Sequence, residues 1–454
     1  MLILNWLRET LRRKTDTRLR RRVGSVPCWL TPASVLETRV LPSSVTANFV
    51  AGSLTLWGDT GDHDLSISQD SATGQVQVQG NNGTQITYNG QTATSFEFDL
   101  TSSLFLNFQR GSGNDSISFD GTGVSDLSGM ISADLGGGTN SLTLSNLTVD
   151  FSVSVSGGKG DNQIHLQNVK TCFGNVMTGK GTDTVDIESS QFSGPLTIWT
   201  GGGSDTITLH GNTVNSLLSI NGGYSKDADS VTVDDSTVSG LALLSTGNGA
   251  DTLESSGSKF TGGLLAFSNG GNDHVQLANT AVSSIMAVFS GGGDDVVNVK
   301  QTDTTSDATI GATLIDTGDG SDQIQLAGTK FDSSVVLSTG FDSDSNTVSI
   351  DDTTVRGPLV AQTFGPNNVI KVEQNTALTG STDFQSTVWM ANYGASGQIN
   401  IGVVNDTANR VKFGAWTWFV GGSPGTVVKY SKGGTSFDQQ PFLINATLDD
   451  LDGP

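Results

Sequence analysis

A glycine-marked turn recurs at near-constant spacing through most of the 454 residues, and this repeat restricts the fold more than any other feature. Its pattern is G-x-G-x-[D/N]-x-U-x-U, where U is Val, Ile, Leu or Phe. Both glycines are present at Asp115, Asn140, Asn162, Asp183, Asp205, Asp251, Asp295 and Asp322, and looser copies sit at Asp64, Asp229, Asp273, Asn346 and Asn368. From Asp115 onward the spacings are 25, 22, 21, 22, 24, 22, 22, 22, 27, 24 and 22 residues. Self-similarity of this length marks a repeat architecture, in which each unit buries its apolar face only by stacking on its neighbours.

Further columns align on the same anchors. Nine residues after the anchor lies Val149, Phe192, Val214, Val238, Phe260, Val282, Phe331 or Val355, and a second short apolar run follows, such as Leu196-Thr197-Ile198. Thr or Ser precedes the next glycine turn at Thr178, Thr200, Thr246, Ser290, Thr317 and Thr339. Pro195 and Pro358 both fall twelve residues after their anchors, each within Gly-Pro-Leu. Proline is tolerated at the start of a strand and at few other places in a sheet, so the coincidence supports the register.

Short alternating strands with a glycine corner every 22 residues predict an all-β parallel β-helix, or β-solenoid. Coils of two or three strands would stack at about 4.8 Å. Residues two and four after the anchor would point inward, as in Val185 and Ile187 or Ile207 and Leu209. The anchors from Asp64 to Asn368 predict about thirteen coils, a rod of roughly 60 Å. Open ends invite further strand pairing and need covering. Residues 46–110, with short alternating segments, are expected to form an N-terminal β cap and the first coils. The repeat proper spans 111–382, and the aromatic-rich segment 383–454 is expected to close the coil.

Residues 1–45 differ in kind. Residues 1–23 carry eight bases against Glu9 and Asp16, a net of +6, so the remainder sums to −28 from a total of −22. The segment is expected to be a targeting leader, disordered or removed. The acidic body excludes a nucleic-acid partner, which would set it against phosphates. No run of about 18 apolar residues suggests a transmembrane segment. Two cysteines, Cys28 and Cys172, are too few to staple the fold, and Cys172 is expected to be a small buried apolar residue.

Two resemblances add to this reading. The stretch Leu36-Glu37-Thr38-Arg39-Val40-Leu41 resembles the LExRxL element that follows a basic leader in planctomycete secreted and surface proteins. The resemblance implies an extracellular or cell-surface location. The turn G-x-G-x-D-x-U is similar to the RTX, or haemolysin-type, calcium-binding nonapeptide. That similarity implies Ca2+ bound between neighbouring turns, with Asp115, Asp183, Asp205, Asp251, Asp273, Asp295 and Asp322 as ligands. The chain departs from the RTX pattern in three ways: one motif per 22 residues instead of tandem nonapeptides, Thr or Ser at the first glycine, and Asn140 and Asn162 in place of the acid. The alternative is that Asp or Asn caps its own turn by bonding the backbone two residues on.

β-Helices also include polysaccharide lyases and glycosidases, whose sites pair carboxylates within about 5–10 Å. The outward column three residues after each anchor places Asp186 and Glu254 three coils apart, roughly 14 Å, which is too far. Only His165 beside Asp186 makes a suggestive pair, and a lateral hydrogen bond explains it as well. A glycan-binding module is the other alternative, through C-terminal aromatics such as Trp416 and Trp418 or the outward Trp199. The reading that results is a non-catalytic structural or adhesin-like protein, with extracellular polysaccharide or cell-wall components as partners and Ca2+ as its one cofactor.

Overall fold

A computed structural model describes residues 43–452 except 71, 110, 122–125, 303–308, 342–344, 376–379, 404–408 and 423–424. The leader, with the LExRxL element and Cys28, lies outside the described residues. The described chain is all-β: parallel strands stack as a β-solenoid of about 14 turns, spaced about 23 residues apart.

One coil shows how the sequence builds the rest. Thr184–Glu188, Gln191–Phe192 and Leu196–Trp199 form its three sides. They pair in parallel with Thr206–His210, Thr213–Val214 and Leu218–Asn221 of the next coil. Alternation sends Val185, Ile187, Phe192, Leu196 and Ile198 inward, each no more than 1% exposed. Phe192, Phe260, Phe331, Phe384 and Phe413 are fully buried at equivalent second-side positions. Burying each such side chain stabilises the stack by about 1.5–3 kcal/mol.

The three corners use different chemistry. At the first, before each anchor, Gly203 adopts φ +129°, and a Cβ there would sit 1.8 Å from the Gly181 carbonyl oxygen of the coil below. Stacked backbones this close leave room only for glycine. The second corner, six residues after the anchor, is left-handed in most coils. Asn168, Ser189, Gly211, Asp235, Gly257, Asn279, Gly328 and Asp352 have φ between 48° and 67° there. Asn, Asp and Gly tolerate that conformation best. At the third corner Pro195 and Pro358 immediately precede third-side strands, and their carbonyls accept N–H bonds from Gly174 and Val335. Their shared register is therefore structural.

Antiparallel hairpins occupy the N-terminal end. Ser44–Val50 pairs with Ser53–Gly58, Asp64–Gln69 with Val76–Gly80, and Val76–Gly80 with Ser95–Phe98. Ser53–Gly58 and Asp64–Gln69 then join the parallel stack. At the other end, residue 383 marks no change of architecture. Parallel pairing continues on all three sides to Phe437, Ile444 and Asp450. The segment expected to be a closing cap therefore extends the solenoid. Its repeat was hidden because the spacing lengthens to 29 residues, the difference between Val369 and its partner Gln398.

The outer faces are unlike one another. The first carries the polar column expected from sequence: Thr143, His165, Asp186, Thr208, Thr232 and Glu254 are in register, so Asp186 and Glu254 are three rungs apart. The third face carries an apolar column, Leu243, Leu265, Ala287, Leu314, Val336, Val360, Trp389, Trp418 and Phe442, again in unbroken register. With the residues two before and two after each of these nine, the face has 27 positions (9 × 3), of which only Asp316 is ionisable. Rings on this face stack on one another: Phe267–Phe289 at 5.3 Å, Trp389–Trp418 at 6.3 Å and Trp418–Phe442 at 5.2 Å.

Candidate functional site

The anchor residues form one continuous interior column. Strand parity explains why: the anchor lies two residues before the first inward apolar residue and so faces the same way. Asp115, Asp183, Asp205, Asp229, Asp251, Asp273, Asp295 and Asp322 are 0–3% exposed. In each, the carboxylate Oδ1 accepts the backbone N–H of the anchor one coil earlier. Asp183 N–H donates to Asp205 Oδ1 at 2.8 Å, Asp205 to Asp229 at 2.8 Å, Asp251 to Asp273 at 2.9 Å and Asp295 to Asp322 at 2.9 Å. Asn346 and Asn368 continue the ladder with the same acceptor atom. Capping is thus between coils, and the expected bond to the backbone two residues on in the same turn is not what the aspartates make. Only the asparagine amides reach back into their own turn, Asn140 to the Gly138 oxygen at 3.2 Å and Asn162 to the Gly160 oxygen at 2.7 Å.

The second oxygens are the chemically unusual feature. Oδ2 of Asp183, Asp205, Asp229, Asp251, Asp273 and Asp295 is buried and makes no hydrogen bond. Burial in low dielectric disfavours the charged form. It pushes Asp205 up to about 6, Asp229 and Asp273 to about 7 and Asp295 to about 8, and raises Asp183 and Asp251. Neighbouring carboxylates in the column add to the rise at Asp205, Asp229, Asp273 and Asp295. The hydroxyls of Thr178, Thr200, Thr246 and Ser268 lie close enough to moderate it at their partners. Carboxylates stacked on neighbouring rungs would repel by only about 1 kcal/mol per pair in water, but this column is not in water.

The Thr and Ser that replace the first glycine of the RTX nonapeptide now have a role. Thr178 and Thr200 point inward and donate to the Thr200 and Gly222 carbonyls at 2.8 and 3.1 Å, and Thr317 donates to Asp322 Oδ2 at 2.7 Å. As a cation site, the column offers one unpartnered carboxylate oxygen in each of the six coils anchored by Asp183, Asp205, Asp229, Asp251, Asp273 and Asp295. Among the described residues no three His, Cys, Asp or Glu side chains cluster as a metal-holding group. Ca2+ takes six to eight oxygens, so the protein side chains alone do not complete a sphere.

Two positions differ from the sequence reading. The first rung is His63 and not Asp64: His63 N–H and Nδ1 lie 3.0 and 2.7 Å from Asp115 Oδ1, while Asp64 pairs with Ser116. Burial opposes a charge on His63, but the carboxylates of Asp115 and Asp59 outweigh it and raise its pKa. Asp229, omitted from the ligand set because its glycine turn is stretched, is a full rung. A second ladder, seven residues after the anchor, went unread although its residues are consistently Ser, Thr or Asn. Ser190 N–H donates to Asn212 Oδ1 at 2.9 Å, and Asn212 and Ser236 N–H donate to Ser236 and Ser258 Oγ at 3.1 Å.

Outside the column, His165 Nδ1 lies 3.1 Å from Asp186 Oδ2, with both side chains one-third exposed. Its register neighbours Thr143 and Thr208 add no second carboxylate. A depression of about 520 Å³ on the second face is lined by Asp383, Arg410 and Lys412, again with a single acid. Among the C-terminal aromatics, Trp389, Trp418 and Phe442 stack on one another, while Trp416 is exposed and lines a depression of about 530 Å³ with Gln439, Gln440, Pro441, Phe442 and Leu443. Trp199 is exposed as expected, whereas Cys172 is only half-buried. No helix among the described residues is long and apolar enough to cross a membrane. Comparison with protein-family models, curated proteins and solved structures returns no match.

Proposed function

We propose that the chain is a non-catalytic structural protein of the extracellular space or cell surface, with an adhesin-like role toward extracellular polysaccharide or cell-wall components. One observation carries this reading: parallel pairing runs unbroken through the solenoid to Asp450, with hydrogen-bond ladders filling its interior corners. Side chains at those corners are committed to holding coil to coil, which suits a stiff acidic rod. The runner-up is a carbohydrate-active β-helix enzyme using His165 and Asp186. Incubation with a panel of neutral and acidic polysaccharides, with new reducing ends and unsaturated products measured, tests the choice. Retention on a polysaccharide without turnover is the expected result. Turnover abolished by Asp186→Ala would overturn it.

A second reading, in which Ca2+ tightens the rod, rests on the row of unpartnered Oδ2 atoms from Asp183 to Asp295. An ion there would replace protons and would be completed by backbone carbonyls or water. Melting in CaCl2 and in EDTA at pH 8 decides it, and equal midpoints would remove the ion from the account.

A further inference from the structure

We propose that the third face of the solenoid pairs with the same face of a second copy of this chain. The column from Leu243 to Phe442 occupies nine successive rungs, so it is about 38 Å long at the inter-strand spacing. Its flanking columns widen it to about 13 Å before side-chain relief, since alternate residues of a strand lie about 6.7 Å apart. The face spans about 500–600 Å²; Ala287, Ala391 and Val420 on it are buried and Ser245, Ser334, Ser338, Gln362, Thr387 and Gln440 are polar, so its apolar part falls within the range for a monomer's largest apolar patch. The whole face approaches the roughly 800 Å² per partner of a standard interface. Ile285, Trp416 and Phe442 on this face are 44%, 48% and 44% exposed.

Charge selects the occupant. Each copy carries a net −22, and like charges brought together oppose association. On the third face only Asp316 is ionisable, so it is the surface through which two copies meet with least opposed charge. The first face carries Asp186, Glu188, Asp234 and Glu254, and the second Asp150, Asp332 and Asp383. A lipid surface fits poorly, because interfacial binding relies on Lys or Arg beside the apolar residues and this face has none. Along the central column Trp389, Trp418 and Phe442 cover one another's faces, which leaves a glycan little ring face to stack on there. Two flat, untethered sheet faces can pack directly at about 10 Å. A twofold arrangement closes the pair and leaves no third apolar face free to extend it.

Sedimentation velocity of the full chain from about 5 to 100 µM, in EDTA, should show a monomer–dimer equilibrium. Val336→Lys, at the middle rung and half-buried, should weaken it at least about 100-fold, because a twofold places two new charges in the interface. Leu265→Lys serves as the second variant should Val336→Lys fail to fold, and circular dichroism reports the fold of each. Gln276→Lys on the first face should leave the dimer intact. A wild-type chain that stays monomeric at 100 µM overturns the proposal, as does a dimer unaffected by both third-face substitutions. Flotation with phosphatidylcholine vesicles that Val336→Lys abolishes would assign the face to lipid and also overturn it.

Discussion

Replacing Asp295 with asparagine should stabilise the solenoid above neutral pH, although Asp295 is a fully buried, hydrogen-bonded residue. Its Oδ1 accepts the Asp273 N–H, which the asparagine oxygen can accept equally, while its Oδ2 has no partner. Burial first, then the nearby carboxylates, lift its pKa from 3.8 to about 8. An acid raised in this way folds without cost only while it holds its proton. Its contribution is complete below about pH 4 and is lost as the pH rises through about 8. At about 1.36 kcal/mol per pH unit, that gap is worth up to about 6 kcal/mol. Column neighbours release part of it by exchanging protons, which leaves about 2–3 kcal/mol for a single replacement. With roughly 400 ordered residues at about 2.1 cal/mol/K each, that raises the midpoint by about 3 °C. Calorimetry at pH 4.5 and pH 8.5 in EDTA should show wild type melting lower at pH 8.5, and Asp295→Asn recovering most of the difference. An Asp295→Asn chain destabilised equally at both pH values would refute the protonated column.

The same geometry yields further expectations. Gly271→Ala should lower stability by at least about 2 kcal/mol, since its φ is +124° and the new Cβ would lie 1.6 Å from the Gly249 oxygen. Gly202→Ala, whose nearest neighbour would be Ser225 Cβ at 3.8 Å, should change the melting midpoint little. Asn212→Ala should cost about 2–4 kcal/mol in denaturant titration, because it strands the buried Ser190 N–H and Ile187 carbonyl. His165→Gln should move stability by under about 1 kcal/mol, as expected for a pair one-third exposed.

Much of this was legible in sequence, for reasons that particular residues show. Val185, Ile187 and Phe192 were placed inward because a 22-residue period and strand alternation leave them no other face. Pro195 and Pro358 marked one corner because proline tolerates few others. The interior place of the anchors is less obvious from residue type, since aspartate suggests a cap of its own turn or a cation ligand, although its parity with Val185 and Ile187 puts Asp183 inside. Asp229 was passed over because an insertion stretched its turn. Beyond Val372 the period jumped to 29, so Phe384 and Phe413 looked like a separate aromatic cap rather than the continuation of the Phe331 column. The third face, with Asp316 as its one ionisable residue, could not be assembled until register joined rungs that lie far apart in the chain.

The corner at Cys172 shows how such a chain can change length. Val149 pairs with Thr171 and Ser152 with Phe173, so Asp150 and Phe151 together oppose Cys172 alone. One residue has been dropped there without disturbing the strands on either side. The stretched turn before Asp229 absorbs extra residues in the same way, while the ladder from Asp205 to Asp251 stays intact. Corners therefore tolerate single-residue insertions and deletions that strands cannot, since a slip inside a strand would turn its apolar residues to solvent. From Asn162 to Asn368 coils meet alike, because each anchor N–H donates to the Oδ1 of the next anchor whichever coil supplies it, whereas Asn140 N–H donates to the Asp161 carbonyl instead. Such a protein can lengthen or shorten over evolution by duplicating or deleting coils, with its girth and interior chemistry unchanged.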